Sequence, residues 1–404
     1  MYRSILVALD GSKWSDLAGQ AAIALAGTGG AIQLIGCHVY AAHMHRDRFE
    51  QMEPGLPEQY QETDQLHHLR ATHDSLISDG MKLISDAYLY PLGKKAEEEG
   101  LNYAGLSVEG RNYVELLRAA NERAVDLMVM GAFGQGHVPE SQLGGVAERA
   151  LLYAQRSDVL LVKQDWLLKN RPIVVGIDGS PCSYAALERA ATLARTFGAT
   201  LEGVAVFDPF FHGGVFRKTA EALPPEAAQR FNFPEQQVLH DEIIDQGLER
   251  LYRRGLDQAI SLAREMGVDM RGEVLSGKVY PKLYQHAVAR KAGLVVLGRW
   301  GLHRDAQSLI GSNALNLARL SGASTLVVAR AENPLKTPET LGERDEEPKE
   351  APSWTPEAEE RLKRVPFLVR RMARKAIEKH AGEQGLREIT AEVVREAARR
   401  FGMG

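Results

Sequence analysis

Short apolar runs alternate with amphipathic stretches over about the first 330 residues of the chain. Runs of this length, rich in Val, Ile and Leu, are typical of parallel strands that are buried on both faces. The stretches between them carry apolar residues three and four positions apart, as amphipathic helices do. The pattern therefore predicts parallel strands joined by helices that cover both faces of a sheet. The predicted strands are 5–9, 34–40, 101–108, 127–130, 158–163, 173–177, 201–207, 269–275, 294–297 and 324–329.

The same pattern occurs twice. The segment Ile5-Leu-Val-Ala-Leu-Asp-Gly-Ser12 recurs as Ile173-Val-Val-Gly-Ile-Asp-Gly-Ser180, and six glycines recur at a constant offset of 167 positions. Such self-similarity indicates a duplicated structural unit. The sequence predicts two α/β domains, 1–165 and 170–330, each with an open five-stranded parallel sheet and helices on both faces. The glycine pairs are Gly100/Gly267, Gly105/Gly272, Gly110/Gly277, Gly131/Gly298, Gly134/Gly301 and Gly144/Gly311.

A third segment follows the duplicated part. Residues 331–352 carry four prolines and many charges but almost no large apolar residues, which predicts an extended linker. Residues 353–404 then form a predicted small all-α module. One of its helices begins near Pro366, and Thr390 precedes a last helix that ends near Phe401.

Composition narrows the class of protein. The chain has 404 residues, 44% of them hydrophobic and 25% charged, as in ordinary globular proteins. A formal net charge of −4 provides no global basic field for nucleic acid. Cys37 and Cys182 form no CxxC pair, which suits a reducing compartment. Without an apolar stretch of membrane-spanning length or a signal peptide, we expect a cytoplasmic protein that does not enter a membrane.

The glycines after the fourth strand of each repeat are the candidate ligand-binding residues. In the second repeat they form Gly298-Arg-Trp-Gly301, then nine residues, then Gly311-Ser312-Asn313. Glycines let a ligand approach the main chain, and a following helix start directs free N–H groups at an anion. Asp178 and its counterpart Asp10 follow the first strand of each repeat and would face the same crevice. The alternative is that these glycines serve turns and helix packing alone, but their repetition favours a ligand site.

The spacing Gly-x-x-Gly, nine residues, Gly-Ser, together with an N-terminal strand followed by Asp-Gly-Ser, resembles the ATP-binding motif of the universal stress protein family. The resemblance covers both repeats and implies a Rossmann-like fold and pairing of the two repeats within one chain. It further implies that the chain binds an adenine nucleotide, ATP with or without Mg²⁺, and the departure described below leads us to expect it mainly in the second repeat. Carried over by position, the residues of this site are Gly176, Asp178, Val206, Leu297, Gly298, Gly301, Gly311, Ser312 and Asn313.

The first repeat departs from the motif at one position. Gly145 stands where the second repeat has Ser312, so a hydroxyl donor is missing there. Glu148 and Arg149 replace Leu315 and Asn316, so the local charge differs as well. We therefore expect the first repeat to bind nucleotide more weakly or to be structural. The residues of this second site are Ala8, Asp10, Val39, Met130, Gly131, Gly134, Gly144 and Gly145.

Catalytic chemistry has little support in the sequence. There is no GxxxxGK[ST] motif and no Ser/His/Asp or Cys/His arrangement that can be placed on this scaffold, so we assign no catalytic residue. The favoured function is an ATP-binding stress-response or regulatory protein. The alternatives are a weak ATPase, an accessory factor in tetrapyrrole or redox metabolism, and a nucleic-acid-binding regulator.

Both repeats also carry a long segment after the second strand. His73-Asp74 recurs as His240-Asp241, and each pair is predicted to open a helix. His43-x-His45 could ligate zinc, copper or nickel, but solvated histidines are the favoured interpretation, so we assign no metal site.

The C-terminal module resembles a second family, through Trp354-Thr-Pro-Glu-Ala, Arg361-Leu-Lys-Arg-Val-Pro-Phe and Ile389-Thr. About 50 residues are similar to the C-terminal domain of the light-independent protochlorophyllide reductase B subunit. The rest of that subunit is missing, so no reductase chemistry is inferred; the module could cover a ligand or bind a protein partner. Its 12 basic and 8 acidic residues fit a helix-turn-helix on DNA or a solvated basic face, and we favour the latter.

Overall fold

The fold is taken from a computed structural model of the chain. It describes residues 2–57, 63–209, 245–302, 308–329, 353–363 and 388–400, with Tyr60, Lys218, Ala222, Arg374, Ile377, Glu378, Ala381 and Leu386. Contacts divide the chain into two compact units, Met1–Leu335 and Lys336–Gly404. Each unit is described by itself.

The first repeat alternates strands and helices as predicted. Its strands are β1 (Ser4–Ala8), β2 (Gln33–Tyr40), β3 (Asn102–Glu109), β4 (Leu127–Gly131) and β5 (Asp158–Val162). Its helices are α1 (Lys13–Ala26), α2 (Ala42–Met52), α3 (Thr63–Glu98), α4 (Asn112–Glu122) and α5 (Gly145–Tyr153), with a 3₁₀ turn over Glu53–Gly55.

The second repeat has the same order of elements. Its strands are β6 (Pro172–Gly176), β7 (Thr200–Phe207), β8 (Met270–Ser276), β9 (Leu294–Gly298) and β10 (Ser324–Val328). Its described helices are α6 (Pro181–Phe197), α7 (Asp245–Glu265), α8 (Val279–Ala289) and α9 (Ser312–Leu320). Every predicted strand of both repeats is therefore confirmed to within one residue at each end.

The ten strands form one sheet rather than two separate ones. Their order is β3-β2-β1-β4-β5-β10-β9-β6-β7-β8, and within each repeat all neighbours are parallel. The last strands of the two repeats pair antiparallel, with Leu160 opposite Leu326. The predicted five-stranded parallel sheets are thus confirmed, and they join edge to edge, which removes two exposed strand edges.

The start of the first helix in each repeat follows from the Asp-Gly-Ser segment. Gly11 and Gly179 have φ of 72° and 83°, which side chains other than glycine rarely adopt. Ser12 and Ser180 then cap α1 and α6, because their hydroxyls accept from the amides of Ser15 and Ser183. The tight turn leaves the preceding Asp beside the carboxyl ends of the central strands.

The predicted role of the His-Asp pairs is wrong for the first repeat. His73 and Asp74 lie inside α3, which begins ten residues earlier at Thr63. The His73 ring stacks on Phe49 with 4.3 Å between ring centroids, so His73 marks the contact of α3 with α2. The His73-Asp74 pair therefore lies in the interior of α3, where α2 packs against it, and does not mark the start of the helix. The matching pair, His240 and Asp241, lies outside the described residues.

The C-terminal unit contains the helices α10 (Pro356–Lys363) and α11 (Ala391–Arg400). The predicted helical module is confirmed, and the structure adds to it a short parallel pair between Ser353–Trp354 (β11) and Glu388–Ile389 (β12). Strands of two residues leave no periodic signal in a sequence. The predicted linker 331–352 and most of the arginine-rich segment after Pro366 lie outside the described residues. Among the residues of this unit that the structure describes, Ala358, Leu362, Ile377, Ala381, Ile389 and Val394 are buried.

Candidate functional site

A cavity of about 490 Å³ lies at the carboxyl ends of β6 and β9 in the second repeat. All nine residues predicted for the principal site line it. The structure therefore brings together segments that are more than a hundred residues apart in sequence. These residues are Gly176, Asp178, Val206, Leu297, Gly298, Gly301, Gly311, Ser312 and Asn313.

Asp178 holds the Gly298–Gly301 loop against the end of β6. Its Oδ1 accepts from the amide of Ser180 at 2.9 Å, and its Oδ2 accepts from the amide of Leu302 at 3.0 Å. A Cβ atom on Gly301 would lie 2.5 Å from that Oδ2, so the loop can approach the carboxylate only with glycine there. Asp178 is thus a structural anchor of the cavity as well as part of its wall.

Packing also explains two further glycines. A Cβ atom on Gly298 would lie 2.7 Å from the carbonyl carbon of Cys182, at the start of α6. A Cβ atom on Gly176 would lie 2.8 Å from a methyl group of Leu297. Close packing therefore accounts for part of the glycine pattern, as the alternative interpretation of the sequence held.

The N-terminus of α9 is the part of the cavity suited to an anion. Gly311 caps the helix without a side-chain bond, and the first intrahelical bond runs from the amide of Leu315 to the carbonyl of Gly311 at 3.1 Å. The amides of Ser312, Asn313 and Ala314 consequently have no acceptor within the helix. Together with the helix dipole, three such amides form a binding site for negative charge. Ser312 and Asn313 are exposed, so a ligand can reach them.

The first repeat has a matching cavity of about 420 Å³. Its Asp10 accepts from the amides of Ser12 at 3.0 Å and Gln135 at 3.1 Å, as Asp178 does from the equivalent amides. All eight residues predicted for the second site line this cavity, namely Ala8, Asp10, Val39, Met130, Gly131, Gly134, Gly144 and Gly145.

A side-chain bridge distinguishes the first cavity from the second. The Gln135 amide donates to the Asp10 carbonyl at 2.6 Å and to the Tyr88 hydroxyl at 2.8 Å. The equivalent positions in the second repeat are Leu302 and Gly255, which can form no such bridge. Gln135 and Tyr88 were missed in the sequence because neither belongs to a recognisable motif.

Buried titratable groups also line the first cavity. Burial lowers the pKa of His38, although Asp10 acts in the opposite direction. Burial raises the pKa of the Cys37 thiol to about 12, so the thiol stays protonated at neutral pH. The equivalent residues of the second repeat are Ala205 and Val204, so these groups are specific to the first cavity.

Arg299 links the second cavity to the first repeat. Its side chain is fully buried, and its guanidinium donates to the carbonyls of Leu151 and Leu152 at the end of α5, the latter at 2.9 Å. Burial lowers its pKa to about 10, against the opposing charge of Asp158. The same α5 begins at the first cavity with Gly145. The sequence placed Arg299 within the Gly-x-x-Gly motif but did not indicate its partners.

The described residues contain no group of three His, Cys, Asp or Glu side chains placed to hold a metal ion. His43 and His45 lie on α2. Within the same residues, no helix combines the length and apolar character needed to cross a membrane.

Comparison with known sequences matches the two repeats to a single family. A family model described as the universal stress protein family matches residues 1–163 and again 169–329. The universal stress proteins Mb2019 of Mycobacterium bovis and Rv1996 of Mycobacterium tuberculosis are each 32% identical over 178 residues. Each alignment covers 42% of this chain and 51% of the relative, so the chain spans about half the length of these curated relatives.

The C-terminal segment matches a different family model, the proto-chlorophyllide reductase 57 kD subunit, over residues 354–397. The B subunit of the light-independent protochlorophyllide reductase of Chlorobium limicola is 52% identical over 50 residues, which is 12% of this chain and 9% of that protein. The similarity to this reductase is therefore confined to a short terminal segment.

A solved structure supports the fold of the repeats. A universal stress protein from Archaeoglobus fulgidus aligns with a TM-score of 0.53 at 16% identity, covering 81% of this chain and 99% of that one. The family model accounts for most of the sequence, in two consecutive copies that the structure shows as matching α/β repeats. The chain belongs to the universal stress protein family.

Proposed function

We propose that the chain is an ATP-binding stress-response or regulatory protein, and that the second repeat holds the nucleotide, with or without Mg²⁺. The observation that carries the proposal is the start of α9, which has no side-chain cap and where three main-chain amides and the Ser312 hydroxyl meet one cavity. Main-chain amides at a helix start bind phosphate without needing a basic side chain.

The rest of the cavity fits the other parts of an adenine nucleotide. Val206 and Leu297 offer apolar walls of the kind that adenine packs against, and Gly176 lines the cavity with them. We assign Gly298, Gly301, Gly311, Ser312 and Asn313 to the ribose and phosphates. We propose ATP as a ligand of this site and Asp178 as its structural anchor, since both oxygens of that carboxylate accept main-chain hydrogen bonds.

The proposal extends to the organisation of the chain. We propose nucleotide domains at 1–165 and 170–330, a linker at 331–352 and a module at 353–404 that binds a protein partner. The first repeat would be the weaker site, since Gly145 brings no hydroxyl to the start of α5.

Titration calorimetry with ATP, with and without Mg²⁺, tests the site through two matched variants. Ser312→Glu adds a carboxylate at the first position of α9, which helix dipoles tolerate well, but it repels a phosphate. Gly145→Glu makes the same change at the first position of α5. We expect the strong ATP site to be lost in Ser312→Glu and kept in Gly145→Glu. Strong binding that survives Ser312→Glu, or no ATP binding by the unmodified protein, would overturn the proposal.

A further inference from the structure

One buried cation lies beside the cavity of the second repeat. Among the described residues that line this cavity, Arg299 and Asp178 are the two that carry charge. The oxygens of Asp178 are occupied by main-chain amides of the loop that it anchors. The side chain of Arg299 is fully buried, so its guanidinium acts on a ligand of the cavity through its charge and not by exposed contact.

The Arg299 guanidinium lies close to the start of α9. Its Nε donates to the carbonyl of Leu309 at 3.2 Å, three positions before Ser312. The main chain of Arg299 is fixed at the same place, because its carbonyl accepts from the amide of Gly311 at 2.8 Å. The positive charge therefore belongs to the segment that presents the free amides of α9 to the cavity.

No carboxylate in the described part of the chain forms an ion pair with Arg299. Its described hydrogen bonds go to three main-chain carbonyls, and Nη1 has no hydrogen-bond partner. Asp158 acts on it electrostatically but is itself paired with Arg189 at 3.2 Å. Because a buried charge is screened less than an exposed one, a positive field remains at the start of α9.

The same guanidinium neutralises a helix end that would repel an anion. The carbonyls of Leu151 and Leu152 lie in the last turn of α5, at the negative end of its dipole. Arg299 donates to both of them. Without this donor, the end of α5 would place unpaired carbonyls beside the binding loop of the second repeat, where they would oppose a phosphate.

The first repeat has alanine at the matching position. Ala132 stands where the second repeat has Arg299, and its carbonyl likewise accepts from the amide of Gly144 at 2.8 Å. The end of α9 is capped by Lys163, which follows β5 and does not line the first cavity. A buried cation in the binding loop is therefore a feature that distinguishes the second cavity from the first.

We propose that Arg299 determines the phosphate affinity of the second cavity, because its buried charge attracts the phosphates at the start of α9 without touching them. The inference rests on the proposed function, since it concerns the ligand of that site. Arg299 is then a positioning residue that acts through its field and through the end of α5. The attraction grows with the number of phosphate charges, so the site ranks ligands of one base by charge and prefers ATP to adenosine.

Titration calorimetry of the full chain with adenosine, AMP, ADP and ATP tests the charge dependence. Arg299→Gln removes the charge but keeps an amide donor for the carbonyls of α5. At the strong site we expect a loss on the order of 10-fold for ATP, smaller losses for ADP and AMP, and less than about twofold for adenosine. A residue that only held the loop in place would affect all four ligands alike.

Two further variants separate charge from packing. Arg299→Lys keeps the charge without the planar fork of donors, so it should retain the preference for ATP over adenosine. This variant decides the question by itself where Arg299→Gln does not fold, which circular dichroism checks. Lys163→Gln removes the cation at the far end of α9 and should leave the preference unchanged.

Each failure has its own signature. An unmodified chain that binds no ATP overturns the proposed function and this inference together. Where ATP binds, this inference alone is overturned if Arg299→Gln weakens adenosine and ATP equally, or if Arg299→Lys loses the preference for ATP. An equal loss of the preference in Lys163→Gln also overturns it, because the effect would then not depend on the charge beside the cavity.

Discussion

At the scale of single residues, the two cavities differ at a position where the backbone is the same. Gly311 precedes α9 with φ −65° and ψ 138°, and Gly144 precedes α5 with φ −68° and ψ 141°. The next residue is Ser312 in one repeat and Gly145 in the other. The main-chain amides are therefore equivalent, and the difference between the sites at this point is one hydroxyl group.

Ser312→Ala should weaken ATP binding about fivefold, because one hydrogen bond is worth about 1 kcal/mol. The reciprocal variant Gly145→Ser should strengthen binding at the first repeat by a similar factor. Calorimetric titration of each variant measures both effects. An unchanged ATP affinity in Ser312→Ala would show that the hydroxyl makes no contact with the ligand.

At the scale of elements, a buried carboxylate joins a strand and a helix of the second cavity. Glu202 on β7 accepts from Arg290, the residue that follows α8, and bonds to the ring of His286 on α8 at 2.9 Å. Burial acts to raise the pKa of Glu202, but the hydrogen bonds from Arg290 and His286 outweigh it and hold the pKa below its usual value. Because β7 supplies Val206 and α8 supplies Leu283, the Glu202 contacts position two walls of the cavity.

Glu202→Gln should lower the free energy of unfolding by about 2 kcal/mol at pH 7, since it removes charged hydrogen bonds. A carboxyl group with a lowered folded pKa stabilises the protein above its unfolded pKa, and the effect is lost as the pH falls through the folded pKa. The difference in free energy of unfolding between the unmodified protein and Glu202→Gln should therefore shrink as the pH falls below the usual pKa of glutamate.

Urea unfolding at neutral and acidic pH measures the difference. Glu249→Gln, in an exposed pair with Arg253, is the matched control and should change stability by less than about 0.5 kcal/mol. A Glu202→Gln protein as stable as this control would contradict the assigned role.

At the scale of the whole first unit, each repeat supplies a basic side chain that caps a helix of the other repeat. Both contacts lie beside the antiparallel pair of β5 and β10, which we call the β5–β10 seam. Arg299 donates to carbonyls at the end of α5. In return, the Lys163 ammonium donates to the carbonyls of Ala318 at 2.7 Å and Ser321 at 2.6 Å, at the end of α9. Both capped helices begin at a cavity, so the seam sets the relative position of the two candidate sites.

Arg299→Ala should lower the free energy of unfolding by about 3 kcal/mol, because it leaves buried carbonyls without donors and opens a cavity. Arg253→Ala, in an exposed pair with Glu249 on α7, should change it by less than about 1 kcal/mol. Chemical denaturation followed by circular dichroism compares the two. Equal losses would show that the seam contact of Arg299 contributes nothing beyond a surface pair.

Much of the candidate site could be predicted because its residues follow strand ends at repeated spacings. Strand ends, glycine turns and helix starts leave local patterns, which is why Asp178, Gly301 and Ser312 were placed in one crevice. Tyr88, Gln135 and Arg299 were missed because their roles depend on partners 47 to 148 residues away. The midhelical position of His73 was missed because nothing in the sequence marks where α2 packs on α3.

The sequence by itself determined the duplication, the order of strands and helices within each repeat and the glycine-lined crevices, because burial periodicity and backbone restrictions act over a few residues. The tertiary structure alone decided that the two sheets join through β5 and β10 and that cations of each repeat cap helices of the other. These features depend on which distant segments meet, and such meetings are set by packing of the whole unit rather than by any local pattern.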